Sequence, residues 1–238
     1  IGGDDVEIWC YEYTDDRDVA ISSYGWLYMV AQWCPDDSHE DWLTVRRSTD
    51  DGTTWHHWAS LVPGPGERYH DPVIHIAQGT EDRLFLAHCY DPGAGEPTEV
   101  RVAWSPLLGP EGDLSNVSVI DTAAFPHSLA FTSDANMFSA YYTYLVYCKD
   151  NGDGDDIHFA RSIDQGTTWQ PEYPLAEIAV PDRGYFWPRI SVGHGGYVHV
   201  VWFLGFPIDH EYDDALRYRR CEDYASGGQA AWDNMESL

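Results

Sequence analysis

Eight residues of the chain carry side chains that could bind or transform a small polar ligand. They are one carboxylate, two imidazoles, three guanidinium groups and two aromatic rings: Asp71, His70, His127, Arg17, Arg183, Arg189, Tyr185 and Trp187. Carboxylates and imidazoles exchange protons with substrates, guanidinium groups bind carboxylates through paired hydrogen bonds, and aromatic rings offer flat apolar surfaces. This mixture predicts a site for a sugar or a carboxylate. It is also compatible with side chains that cap strand ends and fill a core, so no catalytic residue is assigned.

A short acidic segment is the second candidate site. Residues 150–156 read Asp-Asn-Gly-Asp-Gly-Asp-Asp, which places side-chain oxygens at Asn151, Asp153 and Asp155 with glycines between them. Ca²⁺ takes about six to eight oxygen ligands, and glycines let a short loop wrap around the ion. Asp156 stands where such a loop is expected to have glycine. The pattern predicts a Ca²⁺ site at these three residues, with a solvated acidic hairpin tip as the alternative.

The elements that must position these residues are indicated by a motif that occurs twice. Residues 48–55 and 162–169 both fit the pattern Ser-x-Asp-x-Gly-x-Thr-Trp. Asp and Ser side chains hydrogen-bond nearby backbone N–H groups and close a turn, while glycine adopts a positive φ without strain. The tryptophan supplies a large ring that can pack between neighbouring sheets. The motif supplies neither a nucleophile nor a proton shuttle, so we expect its role to be structural.

The motif belongs to a longer repeat. The anchor positions Ser48, Ser105, Ser162 and Cys221 each end a strand-like stretch and are separated by 57, 57 and 59 residues. A unit of this length with about four strands is typical of a β-propeller blade. We therefore predict an all-β fold, a β-propeller of four-stranded antiparallel blades forming a single domain over residues 1–238. The repeats lie near residues 15–68, 69–124, 125–182 and 183–238, and residues 1–14 form an extra strand.

The repeat places the candidate sites on one face of the propeller. The first strand of each repeat begins at a central funnel. The eight residues of the ligand site lie at the start of these strands or just before it. The loops between second and third strands emerge on the same face, and they are acidic in every repeat. The sequence leaves two arrangements open, a closed four-bladed ring and part of a larger propeller.

The charge of the chain limits its partners and its location. There are 40 acidic and 13 basic residues, giving a net charge of −27, and Lys149 is the only lysine. Nucleic acids and anionic membranes are poor partners because their phosphates are repelled, whereas cations and basic partners are favoured. No apolar run approaches the roughly 18 residues of a membrane span. Acid excess with one lysine predicts an extracellular, cell-surface or periplasmic protein.

The five cysteines are predicted to be free thiols. Cys34, Cys89 and Cys148 end the second strands of successive repeats, so they are equivalent positions on different blades. Such positions are too far apart for a disulfide, whose Cα atoms lie within about 7 Å of each other.

The two intact motifs resemble the Asp-box, or bacterial neuraminidase repeat, and the chain resembles the sialidase-like β-propeller superfamily. The resemblance covers four repeats by spacing and two by motif. In that superfamily the Asp-boxes lie away from the active site, and many members are not sialidases. Sialidases carry an Arg-Ile-Pro signature, an arginine triad, an acidic proton donor and a Tyr–Glu pair. This chain has no Arg-Ile-Pro, and its only resemblance to the tyrosine nucleophile of retaining sialidases is Tyr185 near Arg183.

From these observations the sequence predicts a non-catalytic extracellular propeller that binds a carbohydrate or a protein on its acidic face, stabilised by Ca²⁺. One alternative is a sialidase-like glycoside hydrolase with its site in the funnel. Another is a structural subunit of a surface assembly or homo-oligomer, in which the strand at residues 1–14 docks into a neighbour.

Overall fold

The computed structural model describes residues 17–33, 41–79, 81–93, 95–107, 109–123, 126–134, 142–150, 152, 154–177, 184–193, 196–205, 215–221 and 232–237. The predicted strand at residues 1–14 lies outside these ranges, as do Arg183, Asn151 and Asp153. The described residues contain no helix that is long and apolar enough to cross a membrane.

The described residues form sixteen β-strands in four antiparallel sheets. The strands are β1 Arg17–Ile21, β2 Leu27–Trp33, β3 Trp42–Ser48, β4 His56–Leu61, β5 Arg68–Ala77, β6 Arg83–Asp91, β7 Thr98–Pro106, β8 Asn116–Ala123, β9 Pro126–Asp134, β10 Tyr142–Asp150, β11 Asp155–Ser162, β12 Tyr173–Ala176, β13 Gly184–Val192, β14 Val198–Gly205, β15 Ala215–Cys221 and β16 Glu236–Ser237. Each sheet consists of four consecutive strands in chain order. The predicted all-β propeller of four-stranded blades is confirmed.

The first strands of the sheets lie side by side around the funnel. β1 contacts β5, β5 contacts β9, and β9 contacts β13. No comparable contact joins β1 to β13 among the described strands. These four blades therefore form an open arc rather than a closed ring.

The repeat read from the sequence corresponds to equivalent positions in the four blades. The anchors pair with residues at the start of the second strands: Ser48 with Leu27, Ser105 with Leu84, Ser162 with Thr143, and Cys221 with Val198. All four anchors are buried. In the last blade the outer strand is reduced to two residues and an isolated bridge between Cys221 and Trp232.

Three apolar clusters fill the spaces between successive blades. Trp58 and Tyr28 belong to the cluster between the first and second sheets. Phe85 belongs to the cluster between the second and third sheets, and Trp202 to the cluster between the third and fourth sheets. The sheets in the middle of the arc are covered on both faces, so β6 is buried at nearly every position. A strand covered on both faces reads as a continuous apolar run instead of an alternating one.

The Ser-x-Asp turns are closed by their own side chains, as expected. Ser162 Oγ donates to Asp164 Oδ1 (2.8 Å) and accepts from Gly166 N (2.9 Å), while Asp164 accepts from Thr168 N (2.8 Å) and Thr168 Oγ1 (2.6 Å). The first copy makes the same four bonds at the same lengths. Hydrogen bonds from the side chain and backbone of Thr54, and then from Ser48, lower the pKa of Asp50 to about 2. The motif tryptophans are only half-buried, and in the first blade the buried indole is Trp58 on β4.

The described cysteines form no disulfide. Cys89, Cys148 and Cys221 are buried and unbridged, as predicted. Cys10 and Cys34 lie outside the described residues.

Candidate functional site

The inner strands of three blades carry a β-bulge at the same place. The pairing register shifts between His70 and Val73 in β5 and between Phe186 and Arg189 in β13. In β9 it shifts just after the residue that pairs with Cys148 of β10. At each bulge a non-glycine residue has a positive φ: Asp71 (50°), Ser128 (53°) and Trp187 (49°). This conformation is strained for residues with a Cβ, and such residues concentrate at functional sites. A bulge also redirects the side chains around it.

The residues next to the bulges occupy equivalent positions in neighbouring blades. His70 pairs with Cys89, His127 with Cys148, and Phe186 with Phe203. The repeat therefore brings two imidazoles from adjacent blades to the same level of the funnel. We call His70, Asp71, His127, Asp155 and Trp187 the funnel site.

His127 is bonded at both ring nitrogens. Nε2 lies 3.2 Å from Asp155 Oδ1, and Nδ1 lies 3.1 Å from Ser128 Oγ. Burial disfavours the imidazolium, but the hydrogen bond and charge of Asp155, with the charges of Asp71 and Asp150, outweigh it and raise the pKa of His127. The ring is therefore an imidazolium over a wider pH range than an ordinary histidine.

The second carboxylate of the site is Asp71. Its Oδ2 lies 3.1 Å from His70 Nδ1, and its side chain is about a quarter exposed, at 25%. Asp71 and Asp155 both act electrostatically on the thiol of Cys148, which also accepts a hydrogen bond from the backbone of Trp187. Burial, followed by these two charges, raises the pKa of the Cys148 thiol well above its ordinary value. Asp71, Asp155 and the backbone of Trp187 therefore all act on the same buried thiol.

Trp187 provides an exposed aromatic surface beside the carboxylates. It is 64% exposed and stacks on Phe203, with the ring centroids 5.9 Å apart. An indole held by a second ring at a strained backbone position is a rigid apolar platform. Such a platform suits the apolar face of a sugar ring.

Of the other predicted ligand residues that the structure describes, Tyr185 does not belong to the funnel site. Tyr185 is buried between the third and fourth sheets, edge-on to Trp202, and burial raises its pKa. A buried phenol with a raised pKa is poorly suited to act as a nucleophile. Arg189 is exposed and donates to Pro188 O (2.9 Å), and Arg17 begins β1 opposite Ala31.

Sequence reasoning missed two polar residues at this end of the blades. Asp18 is equivalent in register to Arg189, accepts a hydrogen bond from Ile74 N (3.1 Å), and feels the charge of Arg189. Burial raises the pKa of Asp18. Ser128 was missed because serine carries no signal of its own; aligning the bulges would have found it.

The predicted Ca²⁺ site stays a prediction, because only Asp155 of its three residues is described. Within the described part of the chain, two other groups bring three ligand atoms within 4.8 Å of one another. They are His70, Asp71 and Cys89 in the funnel, and Asp121, His158 and Glu172 between the second and third blades. A histidine, a carboxylate and a thiolate would suit Zn²⁺, but the Cys89 thiol donates to Pro126 O (3.3 Å).

The second group is a charge network that includes the only lysine. Lys149 Nζ lies 2.8 Å from Asp121 and 3.6 Å from Glu172, and Glu172 also bonds His158. Burial opposes the charge of Lys149, but the bond and charge of Asp121, followed by Glu172, raise its pKa. The ammonium offsets one of the two negative charges, so this group already contains a cation.

The pKa of His127 leads to a testable pH dependence. Because its folded pKa is raised above the ordinary value, the stability from the His127–Asp155 pair is present below about pH 6.5 and is lost as the pH rises through the folded pKa. We expect His127→Gln to remove this dependence, with an effect below about 1 kcal/mol since the pair is partly exposed. NMR titration of the His127 ring and urea unfolding of both proteins at acidic and alkaline pH measure it. The exposed His56→Gln is the control, and a His127 resonance that titrates below the ordinary range contradicts the assignment.

Comparison with known proteins supports the fold. No protein-family model matches the chain, and no curated protein matches its sequence significantly. Among solved structures, the α-L-arabinanase of Penicillium chrysogenum complexed with arabinobiose has a TM-score of 0.63 at 16% identity, covering 95% of this chain and 68% of that one. The α-L-arabinofuranosidase of Fusarium graminearum with an iminosugar inhibitor has a TM-score of 0.62 at 14% identity, covering 89% and 64%. NanB has a TM-score of 0.55 at 8% identity, covering 95% and 51%.

These similarities establish the propeller fold. The chain spans about two thirds of the length of the arabinan-degrading structures. The solved structures that share the fold include glycoside hydrolases, and some of them bind arabinobiose.

Proposed function

We propose that this chain is a carbohydrate-active propeller, a glycoside hydrolase that binds a neutral glycan at the funnel site. The observation that carries the proposal is that Asp155 contacts His127 and Asp71 contacts His70 in neighbouring blades, beside the exposed Trp187, at the bulged ends of the inner strands. The alternative of hydrolysis, rather than binding alone, is favoured because several proteins of this fold are hydrolases.

The charge of the molecule favours a neutral substrate. The chain has a net charge of −27, and the funnel site itself contains two carboxylates. At the funnel site an anionic sugar such as sialic acid would be repelled, whereas an arabinofuranosyl unit carries no charge. Arabinobiose, the ligand of the related arabinanase, is therefore the first substrate to test.

Two carboxylates near one another are the chemical requirement for glycosidic hydrolysis. One protonates the leaving oxygen as the bond to the anomeric carbon breaks, and the other activates water or attacks that carbon. Water finally supplies a hydroxyl to the anomeric carbon and a proton to the leaving group. Each carboxylate here lies within hydrogen-bond distance of an imidazole, His70 for Asp71 and His127 for Asp155, so each has a partner for proton exchange.

A second candidate function is glycan binding without turnover. It is favoured by Trp187, whose exposed ring stacked on Phe203 would hold a sugar whether or not hydrolysis follows. A location outside the cell accompanies either function as a proposal. Ca²⁺ binding at residues 151–155 accompanies only the binding function, because a carboxylate of Asp155 that holds the ion does not exchange protons.

Assays with nitrophenyl α-L-arabinofuranoside, arabinobiose and a nitrophenyl sialoside distinguish these possibilities. We expect turnover of the arabinosides and none of the sialoside. Binding of arabinobiose by calorimetry without turnover would favour the binding function. If arabinobiose is neither bound nor hydrolysed, the assignment of the funnel site to a glycan is overturned.

A further inference from the structure

A separate cavity lies between the third and fourth blades. Its volume is about 420 Å³, within the range of pockets that hold small organic ligands. It is lined by β12, by Arg219 on β15 and by the segment that leads into β16. None of the funnel-site residues lines it.

Arg219 gives this cavity a positive charge. Its Nε donates to Asp233 O (2.8 Å) and its Nη1 donates to Leu175 O (2.5 Å). Both acceptors are backbone carbonyls, and no carboxylate of the described residues lies within salt-bridge distance of the guanidinium. Burial lowers the pKa of Arg219, and the charges of Tyr173 and Asp233 oppose this effect. The charge of Asp233 also acts on Arg219, but the ion pair of this carboxylate is with Arg220.

Tyr173 adds a second donor. Its hydroxyl accepts a hydrogen bond from the indole nitrogen of Trp232 (2.6 Å), so its own proton is free to donate to another acceptor. Arg219 and Tyr173 act electrostatically on each other. Both line the cavity.

The rest of the wall carries both apolar and polar side chains. Trp232, Tyr185 and Met235 line the cavity, and Met235 is 45% exposed at its rim. Glu177 also lines it, and its charge works against ligands of high negative charge. A ligand must therefore offer one anionic group to the donors and a ring to the aromatic wall.

We propose that this cavity binds a small ring-bearing monocarboxylate of the uronic acid class. The carboxylate accepts hydrogen bonds from the Arg219 guanidinium and the Tyr173 hydroxyl, and the ring packs on Trp232. The site is independent of hydrolysis in the funnel and could recognise acidic sugars of a mixed polysaccharide.

Calorimetric titration with D-glucuronate, and with D-glucose as the neutral match, tests the proposal. We expect glucuronate to bind at millimolar concentration and glucose to bind at least about tenfold more weakly, the effect of losing a charge-assisted hydrogen bond. Arg219→Gln should weaken glucuronate binding by about tenfold or more, and Tyr173→Phe should weaken it severalfold. Glu177→Gln is the matched control in the same cavity and should bind at least as well as the native chain.

A second variant guards against loss of structure, because Arg219 also joins the two blades. Met235→Trp fills the cavity from its exposed rim, and we expect it to abolish glucuronate binding while the circular dichroism spectrum stays native. The proposal is overturned if the native chain does not bind glucuronate, if glucose binds equally well, or if folded Arg219→Gln or Met235→Trp binds like the native chain.

Discussion

Replacing Asp155 with asparagine is expected to reduce the hydrolysis of arabinosides by about 10²–10⁴-fold, the usual contribution of a general acid or base. Asparagine keeps the shape of the side chain and its contact with the His127 ring, but it can neither give nor take a proton. Asp155 is the first residue of β11, and because asparagine has the same shape, the change should leave the fold intact. Initial rates on nitrophenyl α-L-arabinofuranoside and on arabinobiose measure the effect.

Asp71→Asn should give a loss of similar size, and the leaving group tells the two roles apart. Nitrophenolate leaves without help, so the variant that lacks the proton donor should keep much more activity on the nitrophenyl substrate than on arabinobiose. The variant that lacks the other carboxylate should lose activity on both. Asp113→Asn, an exposed carboxylate that accepts a hydrogen bond only within its own loop, is the control. Turnover like that of the native chain in both funnel variants would contradict the proposed chemistry.

The second large effect is expected at Gly166. Its φ is 78°, and a Cβ added there would overlap the ring of Phe85, a fully buried side chain of the neighbouring sheet. Gly166→Ala should therefore add an overpacking cost of about 1–3 kcal/mol to the cost of about 1 kcal/mol for a left-handed alanine. The loss in the free energy of unfolding, measured with urea, is expected to be about 2–4 kcal/mol.

Gly52 is the matched control in the other copy of the turn. Its φ is 82°, but the nearest atom to an added Cβ is Leu27 Cδ1 at 3.6 Å, which is ordinary contact. Gly52→Ala should cost only the backbone strain of about 1 kcal/mol. Phe85→Leu in the Gly166→Ala background should recover part of the overpacking cost. Equal destabilisation by the two alanines would show that the turn at Gly166 does not pack against the second blade.

Much of the fold was predictable because its signals are local. The Ser-x-Asp turn is closed by side chains within seven residues, so a short motif determined its hydrogen bonds. The recurrence of that turn gave the repeat length, and the anchors at Ser48, Ser105, Ser162 and Cys221 indeed occupy equivalent buried positions. Apolar runs such as β6 marked the strands covered on both faces.

The arrangement of the site was less predictable because it depends on bulges. In a regular strand Tyr185, Trp187 and Arg189 would share one face, and the sequence placed all three at the funnel. The extra residue inserted between Phe186 and Arg189 breaks the alternation, so that Tyr185 is buried and Trp187 is exposed. Likewise, the sequence predicts Asp155 as a metal ligand, and its contact with His127 depends on the placement of β11 and β9 on either side of β10.

A crystal structure of Asp155→Asn soaked with arabinobiose tests the central claim most directly. The account predicts a sugar ring on the face of Trp187, with its glycosidic oxygen within reach of Asp71 and residue 155. Arabinobiose bound at another surface, or a funnel left empty at a concentration that saturates the protein by calorimetry, would contradict it.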